Sequence, residues 1–151
     1  MKILVFTEGT LIMHSAGVGH SREEIVKQVE ENELSVKNYG LYVPIGQAQV
    51  KLSGWVKEGA KLFYLTSRRI AEEIQQIRSV LDKNNFPKGE LVFREQSEEY
   101  KNVAERIRPD ILIEDDCESI GGEKEMTYPH IKPEIKKRDK IGRNKRIFRN
   151  R

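Results

Sequence analysis

A short apolar segment, residues 3–6, lies near the start of the chain and ends abruptly at the polar residues Thr7, Glu8 and Thr10. Because no polar residue alternates with the apolar ones, the segment is typical of a strand buried on both faces at the centre of a parallel sheet. Ligands of open α/β sheets bind at the carboxyl ends of such strands. The segment therefore predicts a ligand-binding edge, provided that neighbouring strands also end in polar groups.

Three further apolar segments, residues 61–65, 91–93 and 111–113, predict three more strands. Helix patterns lie between them. Ser21 and Glu24 form a capping-box pattern at the start of the first helix, because each side chain can bond the backbone N–H of the other residue. Strands that alternate with helices predict parallel βαβ units with helices on both faces of the sheet.

The next two helices are predicted from their apolar positions. A helix over residues 47–57 is expected to turn Val50, Gly54 and Trp55 toward the body of the domain. The third helix carries one apolar stripe, at spacings of four, three and four residues, formed by Ile70, Ile74, Ile77 and Leu81.

Ser97 is predicted to cap the last helix, and Pro109 stops its continuation. The resulting fold class is α/β with a central parallel sheet, in a single domain over residues 1–131. Residues 13–49 are hard to assign to regular structure and form a candidate insert, at most a small cap over the ligand edge. Residues 132–151 form a basic C-terminal helix or tail.

The composition limits the partners and the metal sites that the chain can have. Charged residues make up 34% of the chain, and no apolar run approaches the ~20 residues that a membrane span needs. We therefore expect a cytoplasmic protein without a signal peptide and without a membrane partner. Cys117 is the single cysteine, which excludes both an internal disulfide and a zinc site of the cysteine type. Any metal ion must be held by oxygen atoms.

Hydroxyl and carboxylate groups follow the later strands as well. Thr66 and Ser67 come directly after the second strand, and Asp115, Asp116 and Glu118 come after the fourth. Oxygen groups of this kind suit Mg²⁺, which takes one or two carboxylates and shares the oxygens of a phosphate. The alternative for the acidic segment is a solvated turn.

Four segments, in chain order, resemble the four motifs of the haloacid dehalogenase (HAD) superfamily. They are residues 6–11 after the first strand, residues 65–68 after the second, Lys101, and residues 113–116 after the fourth. The resemblance covers roughly residues 1–122. It implies a Rossmann-like three-layer sandwich and Mg²⁺-dependent phosphoryl transfer through an aspartyl-phosphate, with a small phosphorylated metabolite or a nucleotide as the partner.

The same resemblance assigns roles to individual residues. Glu8 falls on the acid/base position and Lys101 on the position of the cation that offsets the phosphoryl charge. The implied magnesium ligands are Glu8, Asp115 and Asp116. The candidate phosphate-binding residues are Thr7, Gly9, Thr10, Thr66, Ser67 and Arg68.

Phe6 stands at the position of the attacking aspartate, and the first Asp of the chain is Asp82. Covalent catalysis by the usual route of the superfamily is therefore not expected. Glu8 can serve as a base for a metal-bound water, as a substitute nucleophile, as a metal ligand, or as a turn residue that bonds nearby backbone N–H groups. The chain is thus either a phosphohydrolase without the usual nucleophile or an inactive binding protein of the same fold.

Other charged and polar residues leave two interpretations open. Arg68 and Arg69 either clamp a phosphate or pair with acidic residues at positions 72 and 73. His14 and His20 are expected to be exposed loop residues, and the alternative is that they bind substrate. The segment 132–151 holds ten Lys and Arg residues against two acidic ones, a local charge of +8, and is either a nucleic-acid-binding segment or a solvated terminus.

Overall fold

A computed structural model describes residues 1–31 and 34–114 of the chain. Asp115, Asp116, Cys117, Glu118 and the basic segment 132–151 lie outside the described residues. The strands are β1 (Lys2–Phe6), β2 (Ile12–Met13), β3 (Val43–Pro44), β4 (Lys61–Leu65), β5 (Glu90–Val92) and β6 (Ile111–Ile113). The α-helices are α1 (Arg22–Glu30), α2 (Ala48–Lys57), α3 (Ala71–Lys83) and α4 (Tyr100–Ile107). Short 3₁₀ helices span Ser15–Gly17, Leu34–Lys37 and Tyr39–Leu41.

The main sheet has four strands in the order β5-β4-β1-β6, and all of its neighbouring pairs are parallel. Val5 of β1 is paired with Tyr64 on one side and with Ile113 on the other. Leu4 and Val5 are fully buried. The predicted central strand, buried on both faces, is therefore confirmed, and so is an α/β fold with a parallel sheet.

The pleat of the sheet divides the core into two apolar clusters. The first includes Val5 and Tyr64 of the sheet and packs against α2 and α3. The second includes Leu4 and Leu65 and packs against α4. Because successive side chains of a strand point to opposite faces, the continuous apolar strands supply both clusters.

The capping box at α1 is present as predicted, but the inward face of α2 differs from the expected one. Ala48 and Leu52 of α2 are buried, whereas Val50 is 59% exposed and Gly54 is also exposed. A helix turns by about 100° per residue, so position 50 lies almost opposite to positions 48 and 52. Trp55, three residues after Leu52, is partly buried against the first cluster. The prediction was correct for Trp55 and wrong for Val50 and Gly54.

Two helix starts also differ from prediction. Ile70 precedes α3 with extended backbone angles and is 62% exposed, so it does not belong to the buried stripe of Ile74, Ile77 and Leu81. Ser97 has a left-handed φ of 71° and does not cap α4. Glu99 is the N-cap instead, in a reciprocal pair with Asn102. A capping pattern fixes a helix start only to within one turn, because several polar residues precede the helix.

The segment between β2 and β3 leaves and rejoins the domain at one place. Ile12 pairs with Pro44 in an antiparallel ladder, and the Ile45 N–H donates to the Leu11 carbonyl at 2.7 Å. α1 and the three short helices lie between these two points. His14 is buried and its Nε2 lies 2.8 Å from Gln28 Oε1 of α1, so the prediction of an exposed loop residue is wrong for His14.

His20, by contrast, is exposed, and its Nδ1 lies 2.7 Å from the Glu24 carboxylate. This contact lowers the pKa of Glu24 to about 2. Among the described residues, no helix is long and apolar enough to cross a membrane.

Two glycines provide a matched test of the packing. A Cβ atom at Gly89 would lie 2.8 Å from the Leu62 carbonyl oxygen and 2.8 Å from Tyr64 Cε2, whereas a Cβ at Gly54 of α2 would meet nothing within 4 Å. We expect Gly89→Ala to lower the free energy of unfolding by about 1–3 kcal/mol through overpacking. Gly54→Ala should raise it by about 0.5–1 kcal/mol, because alanine loses less backbone entropy in a helix. Urea denaturation of both variants measures the difference, and equal effects would contradict the packing at Gly89.

Candidate functional site

A tight turn follows β1 and begins the candidate site. The Thr7 carbonyl accepts the N–H groups of Leu11 at 2.9 Å and Ile12 at 3.1 Å, and the Gly9 N–H donates to the Ile12 carbonyl at 2.8 Å. Gly9 has a φ of +81°, a left-handed conformation that favours glycine. The side chains of Thr7 and Thr10 are buried. The turn forms an isolated parallel bridge between Glu8 and Ile12 and holds Glu8 at the carboxyl edge of the sheet.

The Glu8 carboxylate joins the ends of β1 and β4. It accepts hydrogen bonds from the hydroxyls of Thr7 and Thr66, and the Ser67 N–H donates to its Oε2 at 3.2 Å. The Thr66 hydroxyl in turn accepts the Arg68 N–H at 3.1 Å. The structure therefore brings together Glu8 and three of the predicted phosphate-binding residues. Glu8 thus accepts from a backbone N–H of the neighbouring strand end.

Phe6 packs against an aromatic residue of α4. Its ring packs edge-on against Tyr100 of α4, with ring centroids 5.0 Å apart and an interplanar angle of 70°. Both rings lie against the second apolar cluster. The residue at the expected nucleophile position is therefore part of the packing between the sheet and α4, and a phenyl ring offers neither a nucleophile nor a metal ligand.

Lys101 lies in the first turn of α4. Its Nζ is 3.6 Å from a carboxylate oxygen of Glu99, and both side chains are well exposed. An exposed pair of this kind contributes little to stability. The structure gives Lys101 this partner, and its role as the cation beside a phosphoryl group stays a prediction.

The two arginines after Ser67 have different partners. Arg68 donates to the Tyr39 hydroxyl, lies over the Tyr39 ring at 4.8 Å, and has its Nη1 4.0 Å from Glu73. Arg69 donates to the Glu98 carbonyl at 2.6 Å. Pairing with the acidic residue at position 73 is thus confirmed for Arg68 alone. Burial raises the pKa of Tyr39, so its hydroxyl stays protonated at neutral pH.

Arg94 is a site residue that the sequence patterns did not reveal. Its Nη2 donates to the Ser67 carbonyl at 3.0 Å, and its guanidinium lies over the Tyr100 ring at 4.1 Å. Arg94 follows β5 by two residues, just as Ser67 follows β4 by two. A search of every strand end for cations, and not for carboxylates and hydroxyls alone, would have found it.

The described residues supply one part of the predicted magnesium site. Within residues 1–31 and 34–114 no three His, Cys, Asp or Glu side chains are grouped as metal ligands, and Glu8 is the described member of the predicted set. Its carboxylate is a hard oxygen donor of the kind that Mg²⁺ prefers, and three hydrogen bonds leave part of its acceptor capacity. Val5 pairs with Ile113, so β6 ends beside β1 and directs the chain toward the same edge, two residues before Asp115. The donor chemistry therefore fits the cation.

Two threonines of this edge permit a matched comparison. Thr66→Val removes a hydroxyl that bonds Glu8 and Arg68, whereas Thr10→Val removes a buried hydroxyl that has no hydrogen-bond partner among the described residues. We expect Thr66→Val to lower the free energy of unfolding by about 1–3 kcal/mol, and Thr10→Val to change it by less than about 1 kcal/mol. Chemical denaturation of the two variants, which lose the same atoms, tests the bond between Thr66 and Glu8. A similar loss in both would show that this bond does not stabilise the fold.

No protein-family model matches the chain, and a search of curated proteins finds no match to it. The likeness to the HAD superfamily therefore depends on the chain's own residues. These are the polar groups after β1 and β4, the acidic residues that follow β6 in the sequence, and Lys101 on α4.

Proposed function

We propose that the chain is a HAD-like protein that binds Mg²⁺ and a phosphate ester at the carboxyl edge of its sheet, without forming an aspartyl-phosphate. The observation that carries the proposal is the Glu8 carboxylate, which is held between two strand ends by Thr7, Thr66 and Ser67. The proposal includes the three-layer arrangement of the superfamily.

The donors around Glu8 are of the kind that bind phosphate. A hydroxyl on Thr66, the backbone N–H of Ser67 and the guanidinium of Arg68 lie in consecutive residues just before α3. Backbone N–H groups and guanidinium groups form short, strong hydrogen bonds to anionic oxygens. In this structure, Glu8 is the anion that accepts from Thr66 and Ser67.

A bound phosphate and the Glu8 carboxylate would compete for the same donors and repel each other. When bound, Mg²⁺ supplies the positive charge that permits carboxylates and a phosphate to share one site. Glu8 would then exchange its bonds with Thr66 and Ser67 for the cation, and these donors would become available to the phosphate. Phosphate binding should for this reason depend on Mg²⁺.

Binding without turnover is favoured by the position of Phe6. Its ring is packed against Tyr100, so the edge of the sheet has no carboxylate at the position from which the superfamily attacks phosphorus. Glu8 is itself engaged by three donors. The arrangement resembles a receptor for a phosphate ester more than a site prepared for covalent transfer.

The binding prediction uses thermal and chemical unfolding. At a fixed, saturating Mg²⁺ concentration, inorganic phosphate at about 100 times its dissociation constant should stabilise the wild-type chain by about 3 kcal/mol, because it binds the folded state. Glu8→Gln and the double variant Asp115→Asn/Asp116→Asn should lose this stabilisation. Glu72→Gln is the matched control, since it removes one exposed carboxylate from the first turn of α3. Stabilisation of Glu8→Gln equal to that of the wild type would refute the site.

The turnover prediction concerns the wild-type chain with Mg²⁺ and an aryl phosphate. We expect no release of phosphate above the rate in buffer, because position 6 cannot form the covalent intermediate. A phosphate-release assay over a panel of phosphate esters measures this. Mg²⁺-dependent release that Glu8→Gln abolishes would contradict the prediction and would identify a phosphohydrolase in which Glu8 takes part in the chemistry.

A further inference from the structure

We infer that Arg94 forms a second anion-binding position beside Glu8, next to the phosphate donors Thr66, Ser67 and Arg68, so that the ligand of this edge carries two phosphate groups rather than one. The inference rests on the proposed function, because it concerns the other end of the same ligand. It assigns Arg94 a part in ligand specificity. The ligand class is a compound with a diphosphate or with two neighbouring phosphates.

No described carboxylate balances the charge of Arg94. In the part of the chain that the structure describes, no carboxylate lies within ion-pair distance of its guanidinium, which donates instead to the neutral Ser67 carbonyl. Its Nε is buried and has no hydrogen-bond partner there. Buried donors are nearly always paired in folded proteins. An uncompensated guanidinium with an unpaired buried donor is therefore expected to receive an anion.

Arg68 has the same feature on the other side of Ser67. Its Nη1 contacts Tyr39 and lies at the limit of an ion pair with Glu73, while its Nε is also buried and without a partner among the described residues. Arg68 is the residue after Ser67, and Arg94 bonds the Ser67 carbonyl. Two guanidinium groups with unused Nε donors thus flank the residue whose N–H bonds Glu8.

Aromatic rings hold both guanidinium groups in place. Arg68 lies over Tyr39 at 4.8 Å and Arg94 over Tyr100 at 4.1 Å. Tyr100 is in turn braced by the Phe6 ring. Stacking on an aromatic face orients the planar guanidinium group and reduces the conformational entropy that the side chain loses on binding. Phe6 therefore has a physical role at this edge, because it supports the ring that positions Arg94.

A diphosphate suits this arrangement better than a single phosphate. One phosphate group would take the donors of Thr66, Ser67 and Arg68, as the proposed function requires, and the second would reach Arg94, which contacts Ser67. A guanidinium matches the oxygens of a phosphate in a bidentate geometry that a lysine cannot reproduce. Removal of Arg94 should for this reason weaken the binding of a diphosphate and leave the binding of a monophosphate unchanged.

The experiment is calorimetric titration of the full chain with inorganic phosphate and with pyrophosphate, at the same free Mg²⁺ concentration. We expect the wild type to bind pyrophosphate at least about tenfold more tightly than phosphate, and Arg94→Gln to reduce this ratio to about one. Arg94→Lys, which keeps the charge but not the fork, should retain only part of the preference. Arg78→Gln is the control, since it removes an arginine from the exposed face of α3.

The outcomes separate the two proposals. Equal affinity of the wild type for both probes, or an unchanged pyrophosphate affinity in Arg94→Gln and Arg94→Lys, would overturn the second anion position and leave the proposed function standing. Binding of neither probe would overturn both. A melting temperature of Arg94→Gln close to that of the wild type, together with a lost preference, is expected for a ligand-binding arginine. A large drop in the melting temperature of both variants with the preference intact would instead identify a structural brace.

Discussion

The hydrogen bonds between Glu8 and the end of β4 are the interaction on which the candidate site depends. β1 and β4 are paired through their whole length, and the Thr7 N–H extends the pairing by donating to the Leu65 carbonyl at 3.0 Å. Thr66 and Ser67 supply two donors, and the carboxylate of Glu8 accepts from both. A glutamate can reach across to β4 because its side chain is one methylene longer than that of aspartate. The same bonds place an anion on the donors that a phosphate would use.

This edge differs from a site for covalent phosphoryl transfer, because Phe6 offers no nucleophile and Arg94 adds a cation. Phe6 of the central strand packs against Tyr100 of α4, and the Tyr100 ring contacts the guanidinium of Arg94, which follows β5. The aromatic rings thus support a cation at this edge. Arg94 also donates to the carbonyl of Ser67, and the N–H of Ser67 bonds Glu8. The packing of α4 and the charge of the edge are therefore coupled.

The segment between β2 and β3 also contributes a contact to the candidate site. The pairing of Ile12 with Pro44 closes this segment at its base, and Tyr39 packs in the first apolar cluster while its ring carries Arg68. The sequence indicated an insert over residues 13–49 that lies over the ligand edge. The structure shows how part of this segment reaches the edge, because one aromatic residue of a short helix contacts an arginine that follows β4.

The sequence by itself determined the four strands of the main sheet, their parallel α/β arrangement and the polar turn after β1, because continuous apolar segments of this length have few other stable placements. It did not reveal the short strands β2 and β3, which pair across the segment that could not be assigned. It also determined that Phe6 offers no nucleophile. It did not determine which way α2 faces, where α3 and α4 begin, or that His14 is buried, since each depends on contacts with residues far away in the chain. Only the tertiary structure brought Arg94 to Ser67 and Tyr39 to Arg68. The two residues of each pair are 27 and 29 positions apart in the sequence. No local sequence pattern predicts a contact between residues that only folding brings together.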